Sequence, residues 1–164
     1  MGYHAGAWFT FGEALAGVAG ALTGLLFVAV SIKSDVLARS RNLSSRAAQT
    51  LVLFMIAVLL GLLVVTPQPR IALAWDLIAL AAVSGVALQA LDRRAGSAGE
   101  NANTAERYIE RFSPNLITAV LVGVAGVTLA IRVGGGLYWL LPAAVTSLLG
   151  GVTSAWLFLV RVTG

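Results

Sequence analysis

The sequence predicts an all-α fold, a polytopic membrane bundle of five transmembrane helices with the N-terminus outside and the C-terminus inside. Two observations carry the fold class. Five apolar runs fill about two thirds of the 164 residues, and each is long enough to approach the ~20 residues that cross ~30 Å of hydrocarbon. Only 11% of residues are charged and 59% are hydrophobic, whereas soluble domains carry roughly a quarter charged residues. A third observation, the alternation of basic residues between the connecting segments, sets the orientation.

The runs are 7–32, 47–66, 71–91, 114–131 and 137–160, within a single integral membrane domain spanning 1–164. Helices satisfy their own backbone in lipid, and these runs are too long and continuous for barrel strands. Span one is unbroken apart from Glu13. Spans two and three flank Thr66-Pro67-Gln68-Pro69-Arg70. Two prolines there stop one helix and restart the next, so the pair is expected to form an antiparallel hairpin. Span four follows Ser113, with Pro114 suited to the first helical position. Span five follows the short turn Arg132-Val133-Gly134-Gly135-Gly136.

The segment 33–46 carries Lys33, Arg39, Arg41 and Arg46, and the segment 92–113 carries Arg93, Arg94, Arg107 and Arg111. Arg161 closes the C-terminal span. Only Arg70 and Arg132 fall on the other side. The positive-inside rule therefore makes 33–46 and 92–113 cytoplasmic loops. Within the second, residues 104–112 read as a short interfacial helix: Thr104 is an N-cap candidate, and Tyr108, Ile109 and Phe112 share a face. The basic charge is topogenic on this reading, and no nucleic-acid partner is expected. The partner that it implies is the lipid bilayer.

The chain has no cysteine and one histidine, His4. That removes disulfides, thiolate chemistry and Cys-ligated zinc. Nucleotide, zinc-protease, serine-hydrolase and potassium-filter motifs are all missing. The loops are too short to fold a catalytic domain, so no enzyme, cofactor or metal is expected.

Asp76 is the sharpest feature. Starting span three after it would leave too few residues to cross, so Asp76 must lie within the membrane, on the order of 9 Å along the helix from Arg70. Intramembrane acids are costly unless paired or hydrated, and often mark ion or proton paths. Arg70 and Arg132 are the candidate partners for a structural ion pair. Glu13 lies at a similar depth if span one begins at Ala7, and at the interface if it begins at Ala14. Together Asp76, Glu13, Arg132 and Arg70 form the candidate intramembrane ionisable site.

Small residues mark packing faces. Glu13, Gly17, Gly20, Gly24, Phe27 and Ser31 recur at steps of 4, 3, 4, 3 and 4, a single stripe at about 100° per residue. Span four carries Ala119, Gly123, Gly126 and Ala130 at similar spacing. Such stripes let helices approach closely in lipid, within one bundle or between subunits; a pore lining is a further reading. In span five, Pro142 with Gly150 and Gly151 is a candidate kink. Trp8, Tyr138 and Trp139 at the outer edge and Trp156 at the inner edge read as an aromatic belt.

The stretch Ala21-Leu22-Thr23-Gly24-Leu25-Leu26-Phe27-Val28-Ala29-Val30-Ser31-Ile32 resembles the first span of small bacterial membrane proteins, some labelled modulators of the FtsH protease. The resemblance covers span one and the basic loop after it. It implies a multi-pass protein of the bacterial inner membrane with a regulatory role, and carries over no site residue. Two functions follow from the whole reading. One is a small homo-oligomeric channel or transport protein conducting ions or protons. The other is a non-transporting accessory subunit of a larger membrane complex or membrane protease, with a membrane-protein partner.

Overall fold

The computed structural model describes residues 6–32, 41–95 and 114–163. Among them the fold is all-α. Five helices follow in order: α1 (Gly6–Ile32), α2 (Arg41–Val65), α3 (Arg70–Ala95), α4 (Pro114–Ile131) and α5 (Leu140–Thr163), the last preceded by one 3-10 turn, Gly136–Trp139. Four of them contain stretches long and apolar enough to cross a membrane, and the apolar stretch of α4, Leu116–Ile131, is shorter. The interfacial helix expected over 104–112 lies outside the described residues.

The helices outrun the hydropathy pattern at their polar ends. α2 begins at Arg41 rather than at 47, and α3 continues to Ala95 rather than stopping at 91. Apolar runs measure what suits lipid, whereas a helix can continue past them through polar residues such as Arg41, Ser44, Arg93 and Arg94. The proline turn behaves as expected. α2 ends at Val65, and Thr66 closes it by donating from its backbone nitrogen (2.9 Å) and its hydroxyl (2.8 Å) to the Leu62 carbonyl. These bonds occupy a carbonyl that the helix end leaves without an intrahelical partner.

Packing divides the molecule. α2 lies against α1, α3 and α5, and α4 lies against α3 and α5. Helices α2 to α5 thus close a ring around one core. α1 sits outside it, on α2, with a marginal contact to α5. The core holds Leu53, Ile56 and Leu60 of α2, Leu73 and Leu77 of α3, Val122 of α4 and Leu140 of α5, all fully buried. Only 17% of the α1 membrane window is buried, against 44% for α2. Buried polar groups are few and partnered. Ser147 Oγ donates 2.6 Å to the Leu53 carbonyl, tying α5 to α2. The Thr118 and Thr146 hydroxyls meet at 3.3 Å between α4 and α5. Among the described residues no buried side-chain nitrogen or oxygen lacks a partner.

Two close approaches set the helix spacing. A Cβ built on Gly61 would lie 2.7 Å from the Ala16 backbone nitrogen, so α1 and α2 touch backbone to backbone. A Cβ on Gly126 would lie 2.9 Å from the Ala74 carbonyl oxygen and 2.8 Å from the Ile78 side chain, which does the same for α3 and α4. Lipid tails are as apolar as leucine, so helices associate through such packing rather than through escape from water.

The kink expected in span five does not break the helix. Pro142 is the third residue of α5, where backbone N–H groups have no intrahelical acceptor and a missing donor costs nothing. The α-helix runs continuously through Gly150 and Gly151. Gly151 instead makes room for the Phe54 ring, whose Cδ1 lies 2.8 Å from where a Cβ would stand.

These contacts give a direct test. Gly61→Ala should lower stability by about 1–3 kcal/mol, the usual cost of overpacking. Gly20→Ala, with nothing within 4 Å of its Cβ position, should not destabilise the chain and should gain up to about 1 kcal/mol from alanine's higher helix propensity. Thermal unfolding of both variants in one detergent checks the contrast.

Candidate functional site

One end of the molecule gathers every candidate ionisable residue. It comprises the start of α1, the α2–α3 turn and the α4–α5 turn, and is called the hairpin end below. Trp8 of α1 stacks edge-on against Tyr138, with centroids 5.1 Å apart, and against Phe11 at 5.6 Å. Trp139 Nε1 donates 2.7 Å to the Gly134 carbonyl. The aromatic residues expected at the outer edge therefore do lie together at one end. His4 lies outside the described residues.

Arg70 opens α3 and reaches across to α4. Its guanidinium donates to the carbonyls of Leu129 and, at 3.2 Å, Ala130. These carbonyls belong to the last turn of α4, where the helix leaves acceptors without partners and its dipole favours a cation. The geometry makes Arg70 a cap that locks α3 to α4. Sequence reasoning considered Arg70 only as a partner for a carboxylate. The signal it lacked was the proximity of the α4 terminus, which is a tertiary fact.

Asp76 is half-buried on the flank of α3. Among the described residues it makes no ion pair or hydrogen bond with Arg70 or Arg132. The reason is helical geometry. Six residues separate it from Arg70, ~9 Å along the axis and roughly 120° around it. Gly126, seated between Ala74 and Ile78, marks the depth of Asp76 on α4. Arg132 lies six residues beyond Gly126, again ~9 Å away along the axis.

Glu13 is exposed on α1. α1 buries Gly12, Leu15, Ala19 and Leu26, a seam at steps of 3, 4 and 7. Glu13, Gly17, Gly20 and Gly24 follow the parallel seam about 100° further round, and all four are exposed. Gly17, Gly20 and Gly24 have nothing within 4 Å of their Cβ positions. The stripe is therefore not the contact of α1 with its own bundle. That contact falls instead on Gly12, Ala16 and Gly61, which the spacing of the glycines did not single out. On α4, Gly126 packs closely, and Gly123 meets the Ala81 Cβ at 3.5 Å, an ordinary contact.

Arg132 is exposed and stands in the left-handed region, with φ 61°, at the end of α4. Gly134, Gly135 and Gly136 follow, also with positive φ. The turn is thus built from left-handed residues, of which only Arg132 carries a side chain. Among the described residues Arg132 forms no ion pair. Glu13, Asp76, Arg70 and Arg132 share one end of the molecule, yet the structure joins none of them to another. No three His, Cys, Asp or Glu side chains come together among the described residues.

No family model, curated protein or solved structure matches the chain.

The two central residues should separate on substitution. Arg70→Met removes a charged donor from two α4 carbonyls and should cost about 1–3 kcal/mol. Asp76→Asn breaks no interaction seen among the described residues and should change stability by less than about 0.5 kcal/mol. Thermal melts in detergent at neutral pH distinguish them.

Proposed function

We propose that the chain is a non-enzymatic, multi-pass membrane subunit that works by assembly, with the outward face of α1 as its docking seam. The observation that carries this reading is the open stripe Glu13, Gly17, Gly20 and Gly24. It has the heptad-like spacing of a helix contact, yet nothing among the described residues covers it. Small side chains on a lipid-facing helix forfeit packing unless another helix approaches. The packed apolar core and its partnered polar groups favour a non-transporting accessory role over conduction through a single chain. On this reading the bilayer is the bacterial inner membrane, the hairpin end faces outward, and both basic loops face the cytoplasm.

Ion or proton conduction has one observation in its favour, the placement of Glu13 on the same open face. A path would then run between subunits. Flux in proteoliposomes separates the two roles, and the accessory role requires none.

The assembly reading is tested with Gly20→Leu combined with Gly24→Leu. Both Cβ positions face open space, so each chain of the variant should still fold and keep its helical content by circular dichroism, while its thermal midpoint loses what the assembly contributed. Its mass in mild detergent should fall to that of the 16.9 kDa chain, below the wild-type assembly. An unchanged assembly mass would remove this face from the interface.

A further inference from the structure

A second open face complements the first. α4 lies across the helical ring from α2, and α1 lies on the outside of α2. The outward faces of α1 and α4 are therefore on opposite sides of the molecule. On α4 the outward residues are Leu116 (42% exposed), Val120 (54%), Val127 (48%) and Ile131 (61%). They form a ridge of branched side chains ending at the exposed cation Arg132. On α1 the outward stripe is a groove of glycines beginning at the exposed anion Glu13.

The fold puts these charges at nearly the same depth. Gly61 sits against Gly12 and Ala16, so Glu13 is level with the last turn of α2. The α2–α3 turn makes that turn level with the first turn of α3. Arg70, bonded to the Leu129 and Ala130 carbonyls, makes the first turn of α3 level with the last turn of α4. Glu13 and Arg132 then differ in depth by about two residues, ~3 Å along the bundle axis. An arginine side chain spans that easily.

The directions also agree. α1 runs away from the hairpin end and α4 runs towards it. Two copies with the same orientation in a membrane would thus bring α1 and α4 together antiparallel. Setting Glu13 beside Ile131 places Gly17 opposite Val127, Gly20 opposite the half-buried Val124 and Gly24 opposite Val120. A side-chain-free groove meets a branched ridge in register, and an anion meets a cation at one end. Arg132 holds a left-handed conformation with Val133 between it and three left-handed glycines, a place where glycine would be free of strain.

We propose that copies of this chain associate head to tail, the outward face of α1 on one copy seated against the outward face of α4 on the next, with Glu13 paired to Arg132 of the partner subunit. The proposal rests on the assembly reading above and names its partner, a second copy of the same chain. The interface is heterologous, because each copy offers both faces. Repetition about the membrane normal gives a ring or an open row, not an isolated dimer.

The chain lacks cysteine, so disulfide trapping is unambiguous. Gly24→Cys with Val120→Cys, in the full chain in lipid nanodiscs or native membranes, should give a ladder of multiples of 16.9 kDa on oxidation. Either single variant should stay uncrosslinked. A dimer from Gly24→Cys alone would mean an α1–α1 contact and would overturn the proposal. So would a paired variant that never crosslinks although the protein is oligomeric, an outcome that leaves the assembly reading standing. A monomeric wild type would remove both. Charge reversal gives a second readout at two exposed positions. Glu13→Arg or Arg132→Glu alone should weaken self-association by about tenfold, equivalent to about 1.4 kcal/mol. The double reversal should restore it. A double variant no tighter than either single one would overturn the pairing.

Discussion

The architecture depends on backbones that touch with no side chain between them. Gly61 lets α1 reach α2, and Gly126 lets α4 reach α3. In lipid these contacts cannot lean on the release of apolar surface from water, because the tails solvate leucine as well as a neighbouring helix does. Dispersion grows with closeness, so the tightest crossings anchor the rest. The ring of α2 to α5 then fills with leucine, isoleucine and valine. Of the few polar groups inside it, Ser147 ties α5 to α2 and Thr118 meets Thr146 between α4 and α5.

That construction places the chemistry at the rim. Arg70 is occupied by the end of α4. Asp76 sits half-buried on a flank, and Glu13 and Arg132 face outward. A chain that conducts by itself needs polar groups facing an internal path. Among the described residues apolar side chains fill the interior, and Glu13 and Arg132 stand exposed without an ion pair. α1 follows the same logic. One seam, through Gly12 and Ala16, meets α2 closely, and the next seam round the helix, Gly17, Gly20 and Gly24, is smaller and more regular but uncovered among the described residues.

The sequence makes some of this legible and hides the rest for physical reasons. Hydropathy reports the helices because lipid demands continuous apolar runs, and Thr66-Pro67-Gln68-Pro69 reports its turn because proline limits its own φ and its neighbour's. Trp8, Tyr138 and Trp139 indicate a shared end because amphipathic rings prefer an interface. The glycine stripe on α1 signals a close approach but carries no address, so its spacing cannot say whether the partner helix is internal. Gly12 and Gly61, the contact that forms within the chain, belong to no conspicuous repeat. Arg70 looks like a partner for Asp76 in one dimension. In three, the carbonyls at the end of α4 are nearer and better aimed. Pro142 and Gly150-Gly151 suggest a bend by composition, yet position within α5 makes the proline harmless and the Phe54 ring explains Gly151.

The central claim is that the function of this protein resides between chains rather than within one. Stepwise photobleaching tests it most directly. The wild-type background would carry one fluorophore, attached through a single cysteine introduced at the exposed Val133, and be reconstituted at low density in lipid vesicles. The account predicts two or more bleaching steps per spot, at protein-to-vesicle ratios where chance co-occupancy is negligible. Single-step bleaching of nearly every spot, from a protein shown to be folded, would contradict it.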